Sequence, residues 1–333
     1  MSNSWMESYW HPVGRSEEIG EQPTQFFLLG RRIVLYRNGA GVVALEDTCP
    51  HRGTALSGGI VTNGTIACPY HGWQFDSQGQ CVHIPALPEG SPPISDRVRV
   101  ASYQARDEYG LVWVAMSSAP KPFPLWPYDA WASSDYHIFL AGTYIWQSSA
   151  ARATEAAIDF SHFNFVHKGY TELADGPVIK PYDVFSKPYG LQYAYEDTAL
   201  KRDYSLYFPF VLHDTKTVIS EGEGITWSEK TATNEGDITI LTFIAAPISD
   251  AQTKIYSFIG RNHSLEVADS VMAEGFDEIM DQDRVVVESQ LPVEIPEDLQ
   301  AEFHQRCPDA ASLAYRRLLS DARQEYASSE GTH

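Results

Sequence analysis

Through the first third of the chain, apolar and polar positions alternate in short runs. RRIVLYRN (31–38), GVVALED (41–47) and YGLVWVAM (109–116) each predict a strand, and GGIVTNGTIA, with its turn signals, predicts a hairpin between two loops. The proline-rich stretch SSAPKPFPLWP (117–127) then breaks the pattern, which predicts a domain over residues 1–118 and a second over 119–333.

Longer periods follow. The alanine-rich start of SSAARATEAAIDFSHFNFVHKGY (148–170) has helical propensity, and Glu155, Asp159 and His162, spaced by four and three, share one helix face. His167 lies about 140° further round an ideal helix than His162. The two histidines converge only if the helix ends or distorts between them, with Asn164 and Phe165 in the break and Gly169 nearby. DITILTFIAAPI (237–248) and TKIYSFIGRNH (253–263) predict long paired strands, and SLAYRRLLSDARQEY predicts a C-terminal helix. Disorder is expected only at the ends, such as Ser328 to His333.

Residues 264–290 form the most informative helical segment. Ser264 is a candidate N-cap, and apolar positions 265, 268, 272, 276, 279 and 286 step by three or four apart from one gap of seven. Asp283 fills that gap. An acid on an apolar stripe has to be paired or metal-bound to offset its desolvation, whereas Asp277, Glu278 and Asp281 need no such partner. Glu288 lies off the stripe and is more ambiguous.

Composition narrows the function classes. The 333 residues are 43% hydrophobic and 12% aromatic, a globular balance without repeats. With 24 basic against 44 acidic residues the formal charge is −20, which repels phosphate backbones and anionic lipids, so neither nucleic acid nor membrane is expected as a partner. The start has no leader-like pattern and the longest apolar runs are too short to cross a bilayer, so a soluble cytoplasmic protein is expected. Four cysteines, at 49, 68, 81 and 307, suit ligand or free-thiol roles better than a disulfide framework.

Two of the cysteines sit in similar settings. Cys49-x-His51 is followed after sixteen residues by Cys68-x-x-His71; a proline follows each cysteine and a glycine lies close behind each histidine. Two sharp turns thus aim two thiolates and two imidazoles at a common centre. Structural zinc takes the same donors, but in fingers the cysteines come together and the histidines come together. Unrelated structural cysteines are the other reading. A Rieske [2Fe–2S] cluster takes two thiolates on one iron and two imidazoles on the other, which this interleaved order supplies. Downstream, two histidines and a carboxylate with open positions are the donor set of non-haem Fe(II) oxygenases, which His162, His167 and Asp283 could provide. The remaining histidines, at 11, 83, 137, 213, 263 and 304, lack a partner pattern and are read as structural or surface residues, as are Cys81 and Cys307.

The segments CPHRGTALSGG and CPYHGWQFD resemble the Rieske domain of the Rieske non-haem iron oxygenases. The likeness continues through Asp159-x-x-His162-x-x-x-x-His167 and Gln282-Asp283 ahead of Val286-Val287-Glu288. It implies an α+β protein: an N-terminal all-β iron–sulfur domain, then a helix-grip-like catalytic domain with an antiparallel sheet and helices. It further implies that Cys49, His51, Cys68 and His71 hold the cluster, that His162, His167 and Asp283 bind a mononuclear Fe(II), and that Asp159 links His162 to His71 of the partner subunit. Neither loop holds the spare cysteine of respiratory Rieske proteins, and a lower-potential cluster is expected. Many relatives have asparagine where this chain has Ala156, so support for Asp159 is expected from Glu155 or elsewhere.

Trp10 to Val13 and IDFSHFNFVH resemble the vanillate, toluenesulfonate and methylxanthine demethylase group and the saxitoxin-pathway hydroxylases. The activity implied is that of a terminal oxygenase, in a homotrimer, using O2 to monooxygenate a small ring-containing molecule by C–H hydroxylation or oxidative N- or O-demethylation. No dinucleotide fingerprint is present, so electrons from NAD(P)H are expected through a separate flavin and iron–sulfur reductase or a ferredoxin. Ring cis-dihydroxylation and a non-enzymatic Rieske electron-transfer role are the alternatives. Phe160, Phe163, Phe165, Tyr207 and Phe208 could line a pocket for a flat ring, although aromatics at such spacings also build cores.

Overall fold

The computed structural model describes residues 3–124, 131, 133–218 and 236–330. The chain divides into two compact units, Met1–Phe123 and Pro124–His333. Of the proline-rich stretch predicted as a boundary, residues 125–127 lie outside the described residues.

The first unit is built from strands β1 (His11–Arg15), β2 (Thr24–Leu28), β3 (Arg31–Asn38), β4 (Gly41–Glu46), β5 (Ile60–Thr62), β6 (Thr65–Ala67), β7 (Gln74–Phe75), β8 (Cys81–His83), β9 (Ser102–Glu108) and β10 (Leu111–Ala115). Six of them pair in the order β1-β10-β9-β4-β3-β2, with neighbours antiparallel. The sheet nearly closes on itself. Gly14 of β1 lies so near Phe26 of β2 that a Cβ there would stand 2.6 Å from the ring. Val34, Tyr36, Val43 and Leu45 point their alternate positions into one buried cluster with Cys49, Cys68, Ile66 and Phe75, while Ile33, Leu35 and Ala44 supply another. The middles of β3 and β4 are therefore apolar on both faces, as the unbroken run IVLY requires. A smaller sheet, β5-β6-β7-β8, carries the predicted hairpin, whose Asn63 and Gly64 both adopt positive φ (52° and 77°).

The second unit contains β11 (His137–Trp146), α1 (Ala150–Ile158), α2 (Phe163–Val166), β12 (Val184–Lys187), β13 (Gly190–Glu196), β14 (Leu200–Tyr207), β15 (Val211–Val218), β16 (Ile238–Ser249), β17 (Gln252–Arg261), α3 (Asp269–Glu288) and α4 (Ala310–Glu330). Its seven strands form one antiparallel sheet in the order β11-β17-β16-β15-β14-β13-β12, and helices pack against it, the mixed architecture expected. β16 and β17 are the long paired strands read from residues 237–263.

Three local expectations change. Helix α3 starts at Asp269 behind Ala268, not at Ser264, which takes a positive φ of 47°. Its buried stripe runs through Met272, Phe276, Ile279 and Met280 to Val287, and Val286 is exposed. At the C-terminus α4 continues to Glu330, so Ser328 and Ser329 are helical; residues 331–333 lie outside the described residues. Among the described residues no helix is long and apolar enough to cross a membrane.

Candidate metal centres

In the first unit the two Cys-His loops fold as the same turn. The Gly53 amide donates to the Cys49 carbonyl at 2.8 Å and the Cys49 amide to the Thr54 carbonyl at 2.8 Å. In the second loop the Gly72 amide donates to the Cys68 carbonyl at 3.0 Å and the Cys68 amide to the Trp73 carbonyl at 2.8 Å. Each turn needs a left-handed residue at its fourth step after cysteine, and glycine stands there both times, with φ of 73° and 69°. One loop carries its histidine two residues after cysteine and the other three.

The turns bring the four side chains together. Cys49 and Cys68 are buried and hydrogen-bond to one another, and burial first, with Cys68 beside it, pushes the metal-free Cys49 thiol up to about 11. Neither cysteine is in a disulfide. The rings of His51 and His71 lie 4.7 Å apart at the surface, His51 stacked on Trp73 (4.5 Å, 4° between planes) and His71 against Tyr70 at 3.8 Å. Buried sulfurs and exposed imidazoles suit a cluster whose histidine-bound iron is open to an electron partner.

In the second unit the helix carrying the histidines ends earlier than its spacing predicts. Ser149 caps α1, accepting from the Arg152 amide at 3.2 Å, but α1 stops at Ile158. Asp159 leaves the helix because its Oδ1 accepts from both the Ser161 amide (2.8 Å) and the Ser161 hydroxyl (2.7 Å), a local turn that competes with helix continuation. Tyr193 from β13 donates its hydroxyl to the freed Ile158 carbonyl at 2.7 Å. Asn164 and Phe165 do not occupy a break; they form the short α2, with His162 before it and His167 after it. The break lies at 159–162.

This arrangement sets two imidazoles face to face. His162 Nδ1 donates to Asp159 Oδ2 at 3.0 Å and His167 Nδ1 to Gln282 Oε1 at 2.9 Å, so both protons are committed outward. The two Nε2 atoms then stand 3.1 Å apart, and Asp283 Oδ1 from α3 lies 3.4 Å from one and 3.1 Å from the other. Three donor atoms at this separation need a proton or a metal cation among them. The ligating atoms of His162, His167 and Asp283 all lie within 4.8 Å of one another, a donor set that fits Fe(II) and leaves positions open. Burial opposes a charge on His162, yet Asp159 and Asp283 outweigh it and hold the metal-free imidazole up at about 9. Asp283 is held below the usual carboxylate range because the two histidines overcome its burial.

Gln282 was not singled out as a site residue by its spacing; it orients His167 from the residue next to the carboxylate ligand. Glu155 does not support Asp159, for it pairs with Arg316 at 2.5 Å; Ser161 does that work. Ala156 faces elsewhere, into a cavity of about 80 Å³ that the three metal-site residues share with Ala157, Phe163, Phe243, Phe276 and Met280 among others. Of the five aromatics predicted for a pocket, Phe163 lines this cavity, Phe160 and Tyr207 are buried in the core, and Phe165 is exposed.

Residues 9–104 match the Rieske [2Fe-2S] domain, and residues 146–325 match the vanillate O-demethylase oxygenase C-terminal domain. The chain belongs to the Rieske-type terminal oxygenases. Over 97% of its length it is 27% identical to the methylxanthine N1-demethylase NdmA of Pseudomonas putida, covering 90% of that protein. A segment spanning 50% of the chain is 35% identical to the methylxanthine N3-demethylase NdmB of the same species, covering 49% of it. The solved structure of NdmA with theobromine, a QL mutant, superposes with a TM-score of 0.83 at 25% identity, over 97% of this chain and 93% of that one. Dicamba monooxygenase bound to 3,6-dichlorosalicylic acid shares the fold, with a TM-score of 0.80 at 21% identity, over 97% and 98% of the two chains. This oxygenase thus pairs a Rieske [2Fe–2S] domain with a His-His-Asp site for mononuclear iron.

Proposed function

We propose that this oxygenase inserts one oxygen atom into a C–H bond of a small ring-containing molecule, by hydroxylation or by oxidative N- or O-demethylation. The observation that carries this reading is the convergence of His162, His167 and Asp283 on the wall of a mainly apolar cavity. Full-length similarity to a methylxanthine demethylase supports the ring-shaped substrate. Electrons come from a separate reductase or ferredoxin.

In this reading Cys49, His51, Cys68 and His71 hold the [2Fe–2S] cluster and His162, His167 and Asp283 hold Fe(II). Iron there would supply the activation of O2: two electrons and two protons take one oxygen atom to water while the other enters the substrate. The chain's own groups do the positioning. Asp159 and Gln282 fix the two imidazoles by their Nδ1 protons, Asp283 balances the metal's charge, and Phe163, Phe243 and Phe276 hold a flat ring and exclude water. Demethylation follows when the hydroxylated carbon is a methyl group, which then departs as formaldehyde.

The reading includes a homotrimer in which Asp159 bridges His162 to His71 of the partner subunit. Two features support it: His71 is exposed, and the Asp159 side chain keeps 25% of its surface open while already holding His162. Such a carboxylate orients both rings and offers a hydrogen-bonded route between the metals.

The test is a screen with a surrogate reductase that measures O2 uptake and formaldehyde together, alongside iron analysis. About three irons per chain and substrate-dependent O2 uptake are expected. Formaldehyde in step with O2 marks demethylation, and its absence marks hydroxylation. Two irons and no uptake with any ring compound would leave only an electron carrier.

A further inference from the structure

The two cluster loops are closed in different ways. Residues 68–73 lie between β6 and β7, whose ladder pairs Ile66 with Phe75 and Ala67 with Gln74, so strand pairing holds both ends of the second loop. No ladder does this for the first. The strand that leads into it, β4, belongs to the six-stranded sheet, and the strand that follows it, β5, belongs to the four-stranded one. Its ends have to be joined by side chains.

Asp47 joins them. It is wholly buried, and its own amide donates to the Arg32 carbonyl of β3 at 3.0 Å, which fixes it to the sheet. Its Oδ1 accepts from the Ser57 amide at 2.7 Å; its Oδ2 accepts from the Ser57 hydroxyl at 2.7 Å and from Gln25 Nε2 of β2 at 2.5 Å. Ser57 sits in the single turn Leu56–Gly58, next to Leu56, which is buried in one cluster with Cys49 and Cys68. One buried carboxyl group thus gathers both ends of segment 47–57, and Cys49 and His51 lie inside it. A side chain without an acceptor at this place would leave the Ser57 and Gln25 amides short of a partner.

We propose that Asp47 is a positioning residue for the Rieske cluster: its clamp on Ser57 fixes the geometry in which the first loop presents Cys49 and His51. The clamp works through hydrogen bonding. In Asp47→Asn the carboxamide oxygen still accepts from the Ser57 amide, its NH2 donates to the Ser57 hydroxyl oxygen, and the Gln25 amide, turned over, accepts where it had donated. All three contacts survive in that variant, and none survives in Asp47→Ala. Groups that orient ligands from behind set how firmly a metal is held. This inference rests on the reading that Cys49 and His51 bind the cluster, and its test separates the two.

The experiment takes the full-length, iron-loaded protein, reduces it, and follows the electron paramagnetic resonance of the cluster and the release of its iron to a chelator. Asp47→Ala should broaden the resonance as His51 takes up several orientations, and should release cluster iron at least about tenfold faster than wild type. Asp47→Asn should restore narrow lines and release within about threefold of wild type. Ser57→Ala keeps the backbone bond and loses only the hydroxyl contact; release about threefold faster is expected, and this variant carries the test where Asp47→Ala fails to fold. Wild-type line widths or wild-type release in Asp47→Ala, release from Asp47→Asn as fast as from Asp47→Ala, or, with Asp47→Ala unfolded, wild-type release from Ser57→Ala overturns the proposal. A wild-type chain without a Rieske resonance would instead sink the ligand assignment. The clamp is then read on metal-free protein by trypsin cleavage after Arg52, which is exposed within the loop. Faster cleavage in Asp47→Ala than in wild type and Asp47→Asn upholds the clamp, and equal cleavage removes it.

Discussion

His162 Nε2 and His167 Nε2 face each other at 3.1 Å while both Nδ1 atoms point outward, to Asp159 and Gln282. With the two Nδ1 atoms engaged outward, both Nε2 atoms are left for a shared cation, and Asp283 brings an oxygen to the same spot. Removing one donor should therefore empty the site. His162→Ala and Asp283→Ala are each expected to lose about one iron of three and all turnover, while the visible spectrum of the cluster stays as in wild type. Iron analysis with absorbance on one sample checks both. Turnover by His162→Ala would show that the mononuclear site is elsewhere.

Gln282 acts on the metal through His167. Gln282→Leu removes the acceptor that fixes the ring's tautomer, so iron affinity should fall about 10–100-fold. Gln282→Glu keeps an acceptor at the same place and should retain most of the affinity. Competition against a chelator reads the difference, and equal losses in the two variants would mean that Gln282 only fills space.

Asp159 has two neighbours to satisfy, since one oxygen holds Ser161 and the other His162. Asp159→Asn keeps an oxygen acceptor in the same shape, so both metals should remain. It removes the charge proposed to couple His162 to His71 of the partner subunit, so single-turnover oxidation of the reduced cluster should slow by about tenfold or more. An unchanged rate with full metal content would remove the bridge.

These parts of the site differed in how visible they were before folding. The cluster loops were legible because the cysteine, the histidine and the left-handed glycine all lie within five residues, and the turn that joins them is local. Asp283 was legible because an acid on an apolar helix stripe needs a partner. Helix ends were harder. Asp159 and Ser161 form a turn that stops α1, yet by spacing Asp159 and His162 look like helix neighbours, since side-chain competition for one amide leaves no mark on periodicity. Similarly, Val286 and Val287 are equally apolar, and only packing decided which one is buried. Gln282 could not be found by period at all, because it acts through a residue far along the chain, His167.

Acid should weaken the second unit through His213. This side chain is wholly buried on β15, 2.8 Å from the Thr242 hydroxyl, and burial lowers its pKa from 6.5 to about 3. The folded imidazole stays neutral where the unfolded one binds a proton, so stability falls as pH drops below 6.5 towards 3. The contribution approaches about 1.4 kcal/mol per pH unit. His213→Asn keeps a polar atom near Thr242 without the titration. Its unfolding free energy should lose less than wild type between about pH 6 and 4; parallel slopes would show that His213 does not titrate this way. His11 in the first unit, lowered to about 4 by burial, has the same sign and cancels in the comparison.

The end of α1 that presents Asp159 is held from behind by four charges. Arg316 of α4 donates from Nε to Glu155 at 2.5 Å and from a terminal nitrogen to Glu302 at 2.5 Å, while Arg152 of α1 donates to Glu302 at 2.5 Å. Arg152 and Arg316 are nearly buried, and Arg152 first, then Arg316, holds the Glu302 carboxyl down at about 2. Glu155 lies 3.5 Å from Arg152, so without Arg316 it keeps only this longer contact. Breaking a buried network from one side is costly because the leftover charge stays desolvated, and Arg316→Met should destabilise the unit by about 3–5 kcal/mol. That corresponds to a melting temperature lower by about 10 °C. The double variant Arg316→Met with Glu155→Leu removes the stranded charge as well and should recover much of the loss. A double variant no more stable than Arg316→Met would mean that packing of α4, and not the charge network, holds α1 in place.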